Sequence, residues 1–116
     1  MTVAMQYERD HERTPEDVSA QNLGFDVRST DAAGSKRYTE VKARAKEGAI
    51  ALTQNEWFKA KRFGDDYYLY VVLKAATQPQ VVLIQNPTEN LEPEEKVQLV
   101  RYIMSVNEIK AKGILE

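Results

Sequence analysis

Asp26, Glu40 and Lys42 are the residues whose types and spacing could do chemistry together. A hairpin centred on Ala33 sets Asp26 directly opposite Glu40 and, on the other face, Phe25 opposite Val41. Directly opposed residues have Cβ atoms roughly 4.5–5.5 Å apart. Two carboxylates at that spacing repel, and a divalent cation between them removes the repulsion. All-oxygen ligation of this kind suits Mg²⁺ or Mn²⁺. Lys42 stands two residues beyond Glu40, on the same face of the strand. A metal that polarises a phosphoryl oxygen, with an ammonium group beside it to orient a water, is what phosphodiester hydrolysis requires. Competing chemistries are short of parts, because the chain has one histidine, His11, and no cysteine. No glycine-rich phosphate loop is present either. The same face admits a plainer reading, in which Asp26, Arg28, Tyr38, Glu40 and Lys42 form a cross-strand ion-pair lattice with no ligand.

G-F-D-V-R-S (24–29) and Y-T-E-V-K-A (38–43) alternate in the period-two manner of half-buried strands, with the turn-prone D-A-A-G-S-K between them. Residues 2–13 read as a helix that Pro15 closes, and 49–52 as a short strand. Thr53-Gln54-Asn55-Glu56 has the form of a capping box and Gly64 suits a helix exit, which predicts a helix over 54–63. The run 67–75 is β-branched, aromatic and almost continuously apolar, the mark of a strand covered on both faces, and 80–85 follows it as another. Residues 96–104 fit either a last strand or a helix starting near Pro93. The second capping pattern, Ser105 to Glu108, favours a strand and then a short terminal helix. Interleaved helices and strands of this kind predict an α/β (α+β) fold, a mixed central sheet flanked by helices. At 116 residues there is material for one modest core, so 1–116 reads as a single domain.

Composition narrows the function classes. A net charge of −2 disfavours a strong free-standing nucleic-acid binder. Its distribution is uneven, however, with eight bases against three acids between 36 and 62. Arg44, Lys46, Lys59 and Arg62 from that segment are the candidates for tracking a phosphate backbone, or else the solvated side of their elements. No apolar run is long enough to span a membrane, no secretory leader is apparent, and cysteine is lacking, so the expectation is a soluble cytoplasmic protein that does not associate with membranes.

Taken in order, Y-E-R (7–9), D-V-S (17–19), G-F-D (24–26), R-Y-T-E-V-K (37–42), L-T-Q-N-E-W (52–57) and D-D-Y-Y-L-Y-V-V (65–72) resemble the NO VEIN-type C-terminal domain, which is grouped with the PD-(D/E)xK nuclease-like folds. The resemblance implies a restriction-endonuclease-like core, with Asp26 and Glu40 as metal ligands, Glu8 as a helper acid near the metal, and Lys42 as the lysine of the motif. Asn55 and Glu56 would supply polar groups from the second helix, where Glu56 also has the capping role. Phe25 stands where the superfamily has a proline. The implied activity is Mg²⁺- or Mn²⁺-dependent hydrolysis of DNA, less readily RNA, in a restriction or phage-defence setting. Set against it is a silent module that keeps the fold, binds nucleic acid or docks on a helicase or ATPase partner. A homodimer would add reach to a domain this small.

Overall fold

In the computed structural model, which describes residues 1–45, 49–95 and 104–114, five strands form one mixed sheet in the order β1-β2-β3-β4-β5. Helix α1 (Thr2–Asp10) leads into β1 (Thr14–Asp17), and a single 3-10 turn (Ser19–Gln21) carries the chain to β2 (Val27–Thr30). Strand β3 (Lys36–Ala43), helix α2 (Gln54–Phe63) and β4 (Tyr67–Leu73) form a parallel crossover unit, Glu40 lying beside Leu69 and Lys42 beside Val71. β5 (Gln80–Gln85) returns antiparallel, followed by the one-turn helix α3 (Pro87–Asn90) and by α4 (Val106–Lys112). The fold is thus the mixed, helix-flanked sheet that the sequence pattern predicts.

The hairpin register is the expected one: Val27 pairs with Thr39, Arg28 with Tyr38, Ser29 with Arg37 and Thr30 with Lys36. Burial enforces it. Val27 and Ser29 are buried while Arg28 and Thr30 are not, and a slip of one residue would exchange those faces. The turn between the strands is held by Asp31, whose Oδ1 accepts the N–H groups of Ala33 (3.0 Å) and Ser35 (2.9 Å).

Several boundaries differ from expectation. The first helix stops at Asp10, because residues 14–17 are drawn onto the sheet as β1. Pro15 is therefore a strand residue, tolerated because β1 lies at the edge of the sheet and needs no donor on its open side. Residues 49–53 are not a strand. The Phe25–Val41 pair does not form. The ladder ends at Val27, and Phe25 turns to pack edge-on against Tyr38 (5.0 Å between centroids) and Phe63 (5.9 Å). Most of the expected strand over 96–104 lies outside the described residues. The terminal helix is present, with Ser105 Oγ accepting the Glu108 N–H at 3.1 Å.

Two layers cover the sheet. On one face α2 contributes Ala60 and Phe63 to a cluster with Val18, Leu23, Phe25, Tyr38 and Tyr67. Each large side chain buried there stabilises the fold by about 1.5–3 kcal/mol before entropy is counted. On the other face α1 lays Ala4, Tyr7 and Glu8 over the sheet, with the Tyr7 ring edge-on to Tyr70 at 5.6 Å. β4 is sandwiched between the layers, which is why Leu69 to Val72 are all buried and its sequence lacks a polar alternation. Among the described residues no helix is long and apolar enough to cross a membrane.

Candidate functional site

The candidate site is assembled on the α2 face, where the start of β2, the second half of β3 and the N-terminus of α2 meet. Strand alternation puts Tyr38, Glu40 and Lys42 on this face together. Tyr38 joins the apolar cluster, so Glu40 and Lys42 follow it toward the rim. The N-terminus of α2 is fixed by the capping box the sequence predicts. Thr53 Oγ1 accepts the Glu56 N–H at 3.2 Å, and Glu56 Oε1 accepts the Thr53 N–H at 2.8 Å. That reciprocal cap turns the Glu56 carboxylate toward the strand rather than toward solvent.

Asp26 is held differently. Its N–H donates to Thr39 O (2.8 Å), its carbonyl accepts from Val18 N–H (2.8 Å), and its Oδ2 accepts the Val41 N–H at 2.9 Å. The side chain thereby prolongs the β2–β3 ladder past the point where backbone pairing stops. This bend depends on Gly24, which has φ +86°, a region closed to most L-residues. A methyl group on Gly24 would also overlap Lys59 Cγ, while the Gly24 carbonyl accepts a 2.8 Å hydrogen bond from buried Tyr67 Oη.

Lys42 Nζ donates to Glu56 Oε1 at 3.0 Å and Oε2 at 3.3 Å, and lies 3.6 Å from Glu40 Oε1. Glu40 is 4 % exposed. Its burial, a hydrogen bond with Glu56, and the negative charge and hydrogen bonding of Asp26 push its carboxyl up to about 9. The protonated form is therefore favoured at neutral pH. Burial works against ionisation of Glu56 as well, but the hydrogen bonds from Glu40, the Thr53 backbone and Lys42 outweigh it and hold Glu56 below the usual carboxylate range. Lys42, partly desolvated, is still held above the usual ammonium value by Glu56 and Glu40. Glu40, Glu56 and Lys42 thus meet, with Asp26 beside them, at a cleft of about 170 Å³ whose lining includes Asn22, Gly24, Asn55 and Glu56.

Carboxylate oxygens are the donor type a hard cation takes. Among the described residues no group of three or more His, Cys, Asp or Glu side chains stands in a metal-holding arrangement. Asp26 and Glu40 both line the cleft, a two-carboxylate donor set of the kind Mg²⁺ uses when it keeps several waters.

Other candidates fall elsewhere. Glu8 is not near this cluster. It is fully buried on the α1 face, where Arg13 Nη2 (2.6 Å) and Nε (3.0 Å) and Tyr70 Oη (2.9 Å) all donate to its Oε2. Burial opposes its charge, yet these donors and the neighbouring Ser29 hydroxyl keep the carboxyl below its ordinary value. Arg28 pairs with Glu16 across β1–β2 at 2.7 Å, and among the described residues it forms no ion pair with Asp26 or Glu40. Arg28 therefore makes a cross-strand pair, but with Glu16 rather than with the two acids, and Lys42 pairs with Glu40 on its own strand and with Glu56 of α2. Asn55 is exposed at the cleft, Lys59 covers Gly24 with its stem, Arg62 reaches over the Phe63 ring at 5.9 Å, and Arg44 is exposed just past β3. Lys46 lies outside the described residues.

Asn22 was not singled out from the sequence. It adopts a left-handed conformation (φ 55°) at the end of the 3-10 turn and lines the cleft beside Asp26. Its signal was present in N-L-G-F-D, where two turn-forming residues stand immediately ahead of the acid.

No curated protein and no solved structure matches the chain. Residues 1–84 match the family described as "Protein NO VEIN, C-terminal", a span that takes in the sheet up to the next-to-last residue of β5 and includes Asp26, Glu40, Lys42 and Glu56. The chain therefore belongs to the NO VEIN C-terminal family.

Proposed function

We propose that the chain is a divalent-metal-dependent phosphodiesterase domain acting on DNA, less readily on RNA, with a restriction-endonuclease-like core. The observation that carries this reading is the convergence of Glu40, Asp26, Glu56 and Lys42 on one rim, with a carboxyl proton held to about pH 9 where a cation would replace it. Asp26 and Glu40 would hold Mg²⁺ or Mn²⁺. Bound there, the ion would supply Lewis-acid polarisation of a phosphoryl oxygen and charge neutralisation. Lys42, turning from Glu56, would orient the attacking water and stabilise negative charge on the phosphate. Glu56 would set the position of that ammonium group, and Asn22 and Asn55 would flank the strand being cut. Lys59, Arg62 and Arg44 would contact flanking phosphates.

A second reading is favoured by one observation: Lys42 is already paired with both carboxylate oxygens of Glu56, which closes the rim. In that case the chain is a nuclease-fold module that binds nucleic acid or docks on a helicase, ATPase or defence partner without turnover. Cleavage of plasmid and oligonucleotide substrates with Mg²⁺ or Mn²⁺ decides between them. Turnover that disappears in Lys42→Ala supports the enzyme. Absence of turnover in the wild type, with nucleic acid still bound, supports the module.

A further inference from the structure

The two edges of the sheet are built differently. β1 is short and carries Pro15, Glu16 and Asp17, residues that discourage a further strand from pairing there. β5, Q-V-V-L-I-Q, has no charge and no proline, and β-branched residues fill most of its centre. Among the described residues no strand covers its outer side. An edge of that composition is a template for another strand.

The ladder between β4 and β5 fixes which main-chain groups this edge offers. Asn86 N–H donates to Tyr67 O at 2.9 Å, so the residues in step with Asn86, namely Ile84, Val82 and Gln80, direct their N–H and C=O toward β4. Val72 O accepts the Arg44 N–H at 2.9 Å on the β3 side, as the same phase requires. Val81, Leu83 and Gln85 therefore present theirs outward. Among the described residues the one of these outward groups with a partner is Gln85 O, which accepts from the Asn90 side-chain amide at 2.7 Å.

That arrangement complements a second copy of itself. A twofold axis normal to the sheet at Val82 pairs Val81 with Leu83 of the partner subunit, and Leu83 with Val81 of the partner subunit, each pair exchanging both N–H···O bonds. The next outward pair is Pro79 with Gln85 of the partner subunit. Pro79 has no N–H to give, and the carbonyl it would have served is the one Asn90 already fills. Moving the axis to Leu83 would instead set the Val81 N–H against that filled carbonyl. The axis at Val82 also places Val82, 43 % exposed, directly opposite Val82 of the partner subunit, with no charge on either strand to repel. We propose that two copies of the chain pair β5 to β5 in this register and join their sheets into one. The contact uses none of the residues of the metal-dependent reading and stands without it. Because the axis is normal to the sheet, the clefts holding Asp26 and Glu40 in both copies fall on the same face of the joined sheet.

Sedimentation velocity of the full chain over a concentration series tests the contact. An edge pair is small beside an obligate interface, so the expected result is a reversible monomer–dimer equilibrium. Val82→Lys and Val82→Glu should each weaken the dimer by roughly tenfold or more, because like charges then oppose one another across the axis. Mixing the two variants should restore association to within about threefold of wild type, since the opposed charges then attract. A contact elsewhere on the molecule would not show that restoration. Should the Val82 variants lose the folded circular-dichroism spectrum, Val81→Pro replaces them; it removes an N–H on the open side alone, and a loss of roughly tenfold is again expected. A wild-type chain that stays monomeric at millimolar concentration would overturn the proposal. Hydrogen exchange then identifies the occupant: protected Val81 and Leu83 amides would mean another segment of the same chain, and freely exchanging ones would leave the edge to a different protein. A dimer of unchanged affinity in the variants would equally overturn it.

Discussion

A buried glutamic acid next to a lysine is the residue-scale feature on which the proposed chemistry turns. The Glu40 carboxyl is raised above its unfolded value of 4.5 to about 9, so the folded state binds one more proton than the unfolded chain between those limits. By linkage, its contribution to stability is fully present below pH 4.5 and is lost as pH rises toward about 9. A single proton gives a slope of at most about 1.4 kcal/mol per pH unit. Glu40→Gln, which keeps the shape and cannot ionise, should flatten the stability–pH profile over that window and be the more stable protein at pH 8, as urea melts at several pH values would show. Under the proposed mechanism Lys42 should behave in the opposite sense, serving the chemistry rather than the folding. Lys42→Ala removes an ion pair at a partly exposed position and should cost no more than about 1 kcal/mol, while nuclease turnover falls by at least about a hundredfold. A large loss of stability with turnover intact would mean that the lysine is structural.

At the scale of elements, the site is a joint between a bend and a helix cap. Gly24 forms the bend with a positive φ and with Lys59 packed where a side chain would go. Gly24→Ala should therefore destabilise by roughly 2–4 kcal/mol, above the usual cost of a surface change. Thr53→Ala should cost about 1 kcal/mol through the lost cap and free Glu56 from its orientation. Thermal melts of the two variants rank these effects, and equal melting temperatures would contradict the account of the bend. Helix 54–63 and strand 80–85 were legible to the residue, because a capping box, a glycine exit and a short apolar run with turn residues on either side are all local signals. β1 was not, since in T-P-E-D only Thr14 favours a strand and the segment is strand because β2 offers an edge to pair with. Phe25 was misplaced for a related reason. Period-two alternation assumes that the ladder continues, and it ends two residues short of Phe25, where the Asp26 side chain takes over the hydrogen bonding.

For the molecule as a whole, the two faces of the sheet divide the polar residues into two groups that the sequence does not separate. Glu8, Asp26 and Glu40 are all acids of the N-terminal half, and only the packing of α1 shows that Glu8 belongs to the opposite face. There it ties α1 to the sheet through Arg13 and Tyr70, so Glu8→Ala should cost about 3–5 kcal/mol by leaving those donors without their acceptor. The acid pair itself was legible, because the hairpin register follows from a turn at Asp31–Ser35 and from which strand residues are apolar. Glu56 was expected from the second helix too, and the crossover that sets α2 beside β3 brings it to the pair. Calorimetric titration with Mn²⁺ tests the central claim most directly. The wild-type chain should bind Mn²⁺ with release of about one proton and with affinity that rises from pH 6 to pH 8. Asp26→Asn, which keeps an acceptor for the Val41 N–H, and Glu40→Gln should each abolish the heat, and Glu56→Gln should weaken it. No Mn²⁺ heat in the wild type, or the same heat in Asp26→Asn and Glu40→Gln, would contradict the account.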